Sequence, residues 1–184
     1  IGFWVGGGVT PNKFKEFDEE DMYNKGNFLR KVSKQVIRCP YCGEKVPAEN
    51  FKIDSTRKTV EIFCSKNTCR YHIHGLGGRK PLSMPVYLVD EEIYAKCPTV
   101  IISTVDKFAR LPWAEECGLL FGKTNRYCER CGYIAVGAEH VKSHNSTEEL
   151  PKASVLNVKP FYPPQLIVQD ELHLITGPLG TIYG

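Results

Sequence analysis

Two pairs of cysteines in the first half of the chain have the spacing of metal ligands. Cys39 and Cys42 are separated by two residues, and Cys64 and Cys69 by four. Gly43 follows the first pair, and its flexible backbone allows nearby amide groups to turn toward the sulfurs. Because two thiolates at such a spacing hold one ion and two pairs complete a tetrahedral set, these four cysteines predict a structural zinc site.

The residues between the two cysteine pairs predict a β-hairpin. Apolar and polar residues alternate in 51–53 and 59–63, on either side of a polar turn. Two cysteine pairs joined by a hairpin predict a zinc ribbon over residues 38–75. His72 and His74 follow closely and remain alternative ligands. With four cysteines present, polar packing or nucleic-acid contact is the favoured role of these histidines.

A second Cys-x-x-Cys pair occurs later in the chain. Cys128 and Cys131 are followed by His140 and His144, which would lie one helical turn apart if 139–143 is helical. Together these four residues predict a Cys₂His₂ zinc site. Fewer residues separate the cysteines from the histidines than the roughly 12 of a DNA-reading finger, so that class of finger is not predicted. The alternative is that one or both histidines are simply exposed.

The remaining two cysteines lie alone in the sequence. Cys97 and Cys117 have apolar neighbours and predict buried thiols, although either could replace a histidine at the second metal site. The paired spacing of the other six favours metal binding over disulfide bonds.

An acidic motif near the C-terminus has the residue types of a magnesium site. The apolar segment 166–169 predicts a buried strand, and Asp170 and Glu171 follow it directly, with His173 two residues further on. Asp170 would hold the Mg²⁺ of a nucleotide, and Glu171 would orient or deprotonate the attacking water. His173 would connect the nucleotide site with the surface that binds nucleic acid. The alternative is a solvated strand end that carries two surface acids.

Two further predicted strands, 1–5 and 99–103, precede this motif in the order found in superfamily-2 helicases. A glycine doublet follows the first strand, and a helix capped by threonine follows the second. In such an arrangement, backbone N–H groups, hydroxyls and an ammonium group contact phosphates without reading sequence. The residues expected to do so here are Gly6, Gly7, Ser103, Thr104 and Lys107.

Segments 85–94, 103–109, 120–122 and 169–180 resemble the large helicase-like proteins that include the helicase subunit of DISARM-type anti-phage systems. The resemblance implies an α/β fold, with part of a RecA-like parallel sheet and inserted zinc-ribbon modules. It also implies that the intact parent binds Mg²⁺ and ATP and acts on nucleic acid, with DNA favoured over RNA. The rest of the parent helicase and a partner subunit of the defence system are candidate partners.

The resemblance has one important gap. The family carries a phosphate loop and a second motor domain, whereas the 184 residues contain no Gly-x-x-x-x-Gly-Lys-[Ser/Thr] sequence and no initiator Met. We therefore expect a fragment of the first motor domain that is inactive as an ATPase in isolation. The main alternative is a stand-alone zinc-bearing module that binds nucleic acid or protein. A zinc hydrolase is disfavoured because the sequence has no His-Glu-x-x-His pattern.

Composition and charge are those of a globular protein, with 42% hydrophobic and 24% charged residues. No apolar run approaches the roughly 20 residues of a membrane span, so we expect no membrane contact and a cytoplasmic location. Residues 31–80 contain eleven Lys and Arg against four Asp and Glu. This concentration predicts a surface that faces a polyanion, with Arg57 and Lys58 as contacts, and the alternative is a solvated basic face.

The expected organisation has five parts. They are the first strand and helices of the motor fragment (1–37), the zinc ribbon (38–75), a return to the motor domain with the Thr104 motif (76–116), the second zinc knuckle (117–145), and a connection ending in the acidic motif (146–184). Helices are expected after Thr10 and after Gly26. Residues 145–164 are expected to be irregular.

Overall fold

The structure is a computed structural model that describes residues 1–14, 22–108, 111, 113–148 and 150–168. These residues form short helices and small sheets. They divide into two compact units, one comprising Ile1–Ile93 with Pro98–Ile102, and the other comprising Tyr94–Cys97 with the residues from Ser103 onward. Within these described ranges, no helix is both long and apolar enough to cross a lipid bilayer.

The elements are short throughout. The strands are β1 (Gly2–Trp4), β2 (Phe51–Asp54), β3 (Thr59–Ile62), β4 (Ile101–Ser103), β5 (Thr124–Cys128), β6 (Gly132–Ala135), β7 (Ser143–His144) and β8 (Ala153–Asn157). The helices are α1 (Met22–Ser33), α2 (Asp90–Lys96) and α3 (Val105–Phe108), with 3₁₀ segments at Ala48–Asn50 and Glu115–Phe121.

Strand β1 hydrogen-bonds to a neighbouring segment on each side. It pairs with β4 in a two-stranded parallel sheet, where the Gly2 N–H donates to the Val100 carbonyl at 2.8 Å. On the other side, the Phe3 N–H donates to the Tyr87 carbonyl at 2.9 Å, again in parallel orientation. Parallel pairing agrees with an α/β arrangement, but among the described residues the parallel sheet has only these two strands. A RecA-like sheet remains a prediction.

Helix α1 runs through Gly26, whereas the sequence predicts a helix that begins after it. A glycine inside a helix costs about 1 kcal/mol relative to alanine. Phe28 and Val32, one turn apart, are buried on the inner face, and Gly26 is exposed. Burial of the apolar face outweighs the cost of the glycine, so the helix continues through it. Most of the helix expected after Thr10 lies outside the described residues.

The predicted hairpin between the cysteine pairs is confirmed. Strands β2 and β3 are antiparallel, with Phe51 opposite Ile62 and Asp54 opposite Thr59. Phe51 and Ile62 are buried in the same hydrophobic core as three cysteines of the first cluster. The hairpin therefore links the metal end of the ribbon to the core of the first unit.

The predicted succession of a strand and a helix around Thr104 is also present. Strand β4 begins at Ile101, two residues later than expected, and α3 follows directly after Thr104. The Lys107 N–H donates to the Thr104 carbonyl at 3.0 Å and closes the first turn of the helix.

The second unit is built on a four-stranded antiparallel sheet with the strand order β6-β5-β8-β7. Two expectations are wrong here. Residues 139–143 are not helical, because His144 and its neighbour Ser143 pair with β8 instead. The segment 145–164 is not irregular throughout, because β8 lies inside it and pairs on both of its edges. Each mismatch arises because pairing between distant segments uses the backbone hydrogen-bonding groups.

The strand expected before the acidic motif is not formed where the structure describes it. Leu166, Ile167 and Val168 have no regular secondary structure and are exposed. A buried strand needs neighbouring strands on its edges, and none of the described strands pairs with this segment.

Candidate metal sites

The first candidate metal site brings together the four predicted cysteines. Cys39 Sγ lies 3.8 Å from Cys69 Sγ, and Cys42 Sγ lies 3.6 Å from Cys64 Sγ. All four sulfurs lie within 4.8 Å of one another. A tetrahedral ion with metal–sulfur bonds of about 2.3 Å places its sulfurs about 3.8 Å apart, so this geometry fits zinc.

Tight turns at both cysteine pairs direct the four sulfurs toward one point. The Cys39 N–H donates to the Glu44 carbonyl at 2.8 Å, and the Gly43 N–H returns to the Cys39 carbonyl at 2.9 Å. Gly43 adopts a φ of 74°, a left-handed conformation that favours glycine. On the other side, the Cys64 N–H donates to the Tyr71 carbonyl at 2.7 Å. The sequence signal for this site, two short cysteine spacings and a glycine, therefore corresponds to real turn geometry.

Three of the thiols, Cys42, Cys64 and Cys69, differ in the direction of their pKa shifts. A backbone hydrogen bond from Glu44 lowers the pKa of Cys42. Burial raises the pKa of Cys64 to about 12 and also raises the pKa of Cys69. Because a metal binds thiolates, loading the site must displace protons from the buried thiols. Of Cys42, Cys64 and Cys69, Cys42 is the one whose surroundings favour the thiolate.

The second candidate site joins the other predicted ligands. Cys131 Sγ lies 3.3 Å from His144 Nε2, and the ligand atoms of these two residues, Cys128 and His140 all lie within 4.8 Å of one another. A tetrahedral zinc ion places a sulfur and a nitrogen ligand about 3.5 Å apart. His140 Nδ1 is 2.7 Å from the Val141 carbonyl oxygen, to which its N–H can donate, so Nε2 is left to bind a metal.

The sheet of the second unit positions these ligands. The β5–β6 turn carries both cysteines, and β7 carries His144. Burial lowers the pKa of His144, and the charges of Arg130 and His140 lower it further. The neutral imidazole is the form that binds metals, so the surroundings of His144 favour ligation. Sequence reasoning found the ligands but missed β8, the strand that pairs with β7 and holds His144 in place.

Among the described residues, the remaining cysteines and histidines do not join either cluster. The Cys97 thiol lies 3.0 Å from the Tyr94 carbonyl, and burial raises its pKa to about 12. Cys117 is buried beside the Tyr94 hydroxyl, at 3.6 Å. His72 Nδ1 lies 3.1 Å from the Gly75 carbonyl. Cys117 is buried, as predicted, whereas Cys97 is only half-buried, and both lie outside the second metal site.

Two predicted nucleic-acid contacts at the tip of the hairpin are ion-paired. Arg57 lies 2.6 Å from Asp54 and 2.7 Å from Glu61. Lys58 lies 2.6 Å from Glu91. Their charges are balanced locally by carboxylates, so they contribute less to an attractive field than their count in the sequence indicates.

The other predicted phosphate contacts occupy different surroundings. The Gly7 carbonyl accepts a hydrogen bond from Lys31 Nζ at 3.3 Å, and the Gly6 carbonyl accepts one from the Val9 N–H at 2.8 Å. Thr104 is exposed, and Ser103 donates from its hydroxyl to the Thr104 carbonyl at 3.1 Å. Lys107 is only 3% exposed, which leaves its side chain little access to a ligand. Asp170, Glu171 and His173 lie outside the described residues.

Comparison with known proteins gives a match over the whole chain. Over 195 aligned positions that include all of this chain, 54% of the residues are identical to the DISARM protein DrmA of Bacillus paralicheniformis. The chain is similar to part of a DISARM protein. The match covers 16% of that relative, so the chain spans about a sixth of its length. No protein-family model matches the chain.

Proposed function

We propose that this chain is the part of a DISARM-type phage-defence protein that adds two zinc-stabilised modules to the first motor domain of a nucleic-acid helicase or translocase. The observation that carries the proposal is the 54% identity to the DISARM protein DrmA over the full chain. Because the chain corresponds to 16% of that relative, the activity belongs to the longer protein. DNA is the favoured substrate, a second defence-system subunit the expected partner, and the cytoplasm the expected location.

Zinc is the metal that suits both sites. Each cluster offers four protein ligands, the number that closes a structural zinc site. Thiolate and imidazole donors favour zinc over Mg²⁺ or Ca²⁺, which prefer oxygen. When bound, the ion supplies folding energy and cross-links distant segments of chain. We expect about two zinc ions per chain, measured by elemental analysis of protein purified without added metal.

The parallel pair formed by β1 and β4 supports placement in a motor domain. The glycine doublet follows β1, and Ser103 and Thr104 end β4 and open α3. In the proposed protein, these residues would hold a nucleic-acid backbone through N–H groups and hydroxyls, a mode of contact that follows the strand without reading its sequence. The ribbon lies between these two segments in the chain, as an insertion would.

The acidic motif would supply the nucleotide chemistry. Asp170 would hold Mg²⁺, Glu171 would act on the attacking water, and His173 would communicate with the nucleic acid. The 184 residues contain no phosphate-loop sequence to cradle the β- and γ-phosphates. We therefore expect the longer protein to hydrolyse ATP when nucleic acid is present, and the chain alone neither to hydrolyse ATP nor to bind it tightly.

An ATPase assay tests this proposal. Hydrolysis is measured with and without DNA on the longer protein and on the 184-residue chain, each as native sequence and as Glu171→Gln. The expected result is DNA-stimulated turnover that only the longer native protein shows. Turnover by the isolated chain that Glu171→Gln abolishes would contradict the fragment assignment. An unchanged rate in the longer Glu171→Gln protein would contradict the role of Glu171.

A second candidate function is a stand-alone zinc-bearing module that binds nucleic acid or protein. Both four-ligand clusters are assembled from the chain's own residues, and Leu166–Val168, before the acidic motif, is exposed. Metal content with salt-dependent DNA binding and no effect of nucleotide, in the longer protein as well, would favour this candidate.

A further inference from the structure

We propose that the metal end of the first ribbon is a stacking site for single-stranded nucleic acid, with Tyr41 as the platform for a base and Arg38, Lys45 and Arg70 as phosphate contacts. This inference rests on the proposed function in taking nucleic acid as the ligand. The nucleic-acid contact is thereby placed at the metal end of the ribbon, and not at the hairpin tip, where Arg57 and Lys58 are ion-paired.

Tyr41 is an exposed aromatic residue on a rigid loop. It lies between the first two cysteine ligands and is 63% exposed. Its ring centroid is 5.9 Å from that of Tyr71, and the two planes are nearly perpendicular at 88°. A large aromatic side chain normally gains by burial, whereas this one is held in solvent by a loop that the turn hydrogen bonds fix. Such a ring can stack on a base at small entropic cost.

Exposed cations lie on the same loops as the two rings. The Arg70 guanidinium carbon lies 5.2 Å from the Tyr71 ring centroid, and Arg70 is exposed. Arg38 and Lys45 are directly opposite each other in an antiparallel bridge, and both are exposed. Opposed residues of an antiparallel pair share a face, and two like charges there repel. An anionic ligand between them would relieve that repulsion.

The single carboxylate on this loop does not balance the cations. Glu44 accepts a hydrogen bond from the Lys45 backbone N–H at 3.1 Å, and Arg38 Nη1 donates to the Gly43 carbonyl at 3.1 Å. Lys66, on the second cysteine loop, adds another exposed cation at this end. The salt bridges found among the described residues of the ribbon are at the hairpin tip, formed by Arg57 and Lys58.

The second metal site provides a contrast within the same chain. The two residues between its cysteines are Glu129 and Arg130. Arg130 Nη2 donates to the Asn145 carbonyl at 2.9 Å and to the Pro151 carbonyl at 2.8 Å, and the Glu129 carboxylate accepts from the Ser154 N–H at 2.8 Å. Both side chains tie the knuckle to neighbouring segments. The two residues between the cysteines of the second site therefore already have partners within the protein. Tyr41, which occupies the position equivalent to Arg130 in the first site, is exposed.

Single strands fit this surface better than duplex. Bases of a duplex are stacked on one another and are not available to an isolated aromatic ring, whereas a single strand can place a base on Tyr41 and its phosphates near the cations. Loss of one stacking residue typically weakens single-strand binding by roughly 5- to 150-fold. Each phosphate contact adds about 0.7 to the slope of log affinity against log salt for single strands.

The test measures binding of the zinc-loaded 184-residue chain to fluorescein-labelled dT15, to a duplex of the same length, and to an abasic 15-mer that has phosphates but no bases. We expect tighter binding to dT15 than to either other probe. Tyr41→Ala should weaken dT15 binding roughly 5- to 150-fold and leave abasic binding unchanged. Tyr41→Trp should bind dT15 with near-native affinity, which would show that the affinity depends on an aromatic ring at this position.

Two matched controls separate this surface from general effects. Tyr162→Ala removes an 88% exposed tyrosine of the second unit and should leave binding unchanged. Replacing Arg70 by Gln should lower the salt slope by about 0.7, whereas Lys58→Gln should not change it. Zinc content is measured for every variant. If Tyr41→Ala loses zinc, the comparison of Tyr41→Leu with Tyr41→Trp, both zinc-loaded, replaces it.

Several results would overturn the stacking site. They are equal affinities for dT15 and the abasic probe, native affinity in zinc-loaded Tyr41→Ala or Tyr41→Leu, and no binding of any oligonucleotide by the native chain, which would indicate a protein partner instead. The ATPase assay separates the two proposals. If DNA stimulates turnover in the longer protein but Tyr41 substitution does not change binding of dT15, only the stacking site is refuted. A Tyr41-dependent single-strand site without DNA-stimulated turnover removes only the motor assignment.

Discussion

Replacement of Cys64 by serine is the most direct test of the first metal site. The Cys64 side chain is fully buried, and its Sγ lies 3.6 Å from Cys42 Sγ. Structural zinc contributes about 10–16 kcal/mol of binding free energy in small zinc modules, shared among four ligands. One ligand therefore accounts for about 2.5–4 kcal/mol, which corresponds to a loss of roughly 60- to 700-fold in metal affinity.

The same substitution should also destabilise the ribbon. A buried serine hydroxyl without a good acceptor costs about 1–3 kcal/mol more. The hairpin of β2 and β3 has only two strands, and an isolated two-stranded hairpin is at best marginally stable. We therefore expect the Cys64→Ser chain to lose one metal ion and the hydrogen-exchange protection of residues 51–62, while the second unit keeps its metal.

Competition with a chromophoric chelator measures the affinity, and elemental analysis counts the bound ions. Cys117→Ser is the matched control, because Cys117 is equally buried, at 1% exposure, but lies outside both clusters. The reasoning fails if Cys64→Ser holds two ions at native affinity. It also fails if the native chain is folded without metal and carries disulfides between the cysteines of the first cluster.

Two further predictions concern groups outside the metal sites. The Thr59 hydroxyl donates to the buried Glu92 carboxylate, so Thr59→Val should lower the free energy of unfolding by about 2 kcal/mol in urea denaturation. Thr59→Ser should retain most of this free energy of unfolding. An equal loss of stability in both variants would contradict the role of the hydroxyl. Burial raises the Cys97 pKa from 9.0 to about 12, so this thiol's contribution is present below pH 9 and is lost as pH rises through 12. Between pH 9 and 12 the native chain should therefore lose more stability than Cys97→Ala; parallel pH profiles would refute this.

Residues whose geometry is set over a few positions were predictable from the sequence. Cys39 and Cys42 converge because two intervening residues and Gly43 allow only a tight turn, and the same reasoning applies to the Cys128–Cys131 pair. The hairpin was predictable because alternation continues up to a polar turn, where the Arg57 N–H donates to Asp54 at 2.7 Å. In each case the determining contacts are local.

Elements that depend on distant partners were not predictable in the same way. Strand β8 is buried at Ala153 and becomes exposed toward Leu156, and prolines at 151 and 160 flank it. A strand of five residues within an eight-residue stretch between prolines leaves little sequence signal, because such a stretch also suits an irregular loop. Only pairing with β5 on one edge and β7 on the other decides the outcome. The position of His144 depends on the same pairing, which is why a helical spacing was the wrong basis for its geometry.

Charge counting could not rank the cations of residues 31–80 for a related reason. Composition assigns equal weight to every lysine and arginine between residues 31 and 80, whereas the structure separates them by partner. Arg57 and Lys58 face carboxylates, Arg38 donates to a backbone carbonyl of its own knuckle, and Arg70 lies over an aromatic ring. The surface charge therefore depends on which groups contact each cation across strands and loops, and the sequence alone does not show these contacts.

The small size of the sheets explains why both units contain a metal cluster. The sheets of the described residues have two to four strands, and the strands have two to five residues, so each buries little apolar surface on its own. In the first unit, Cys39, Cys64 and Cys69 lie within the hydrophobic core itself, where bound metal would replace missing apolar contacts. In the second unit, the ligands join the β5–β6 turn to β7. Metal ligation can hold such short elements together without a larger core, which leaves the exposed knuckle of the first unit rigid enough to present Tyr41 to a ligand.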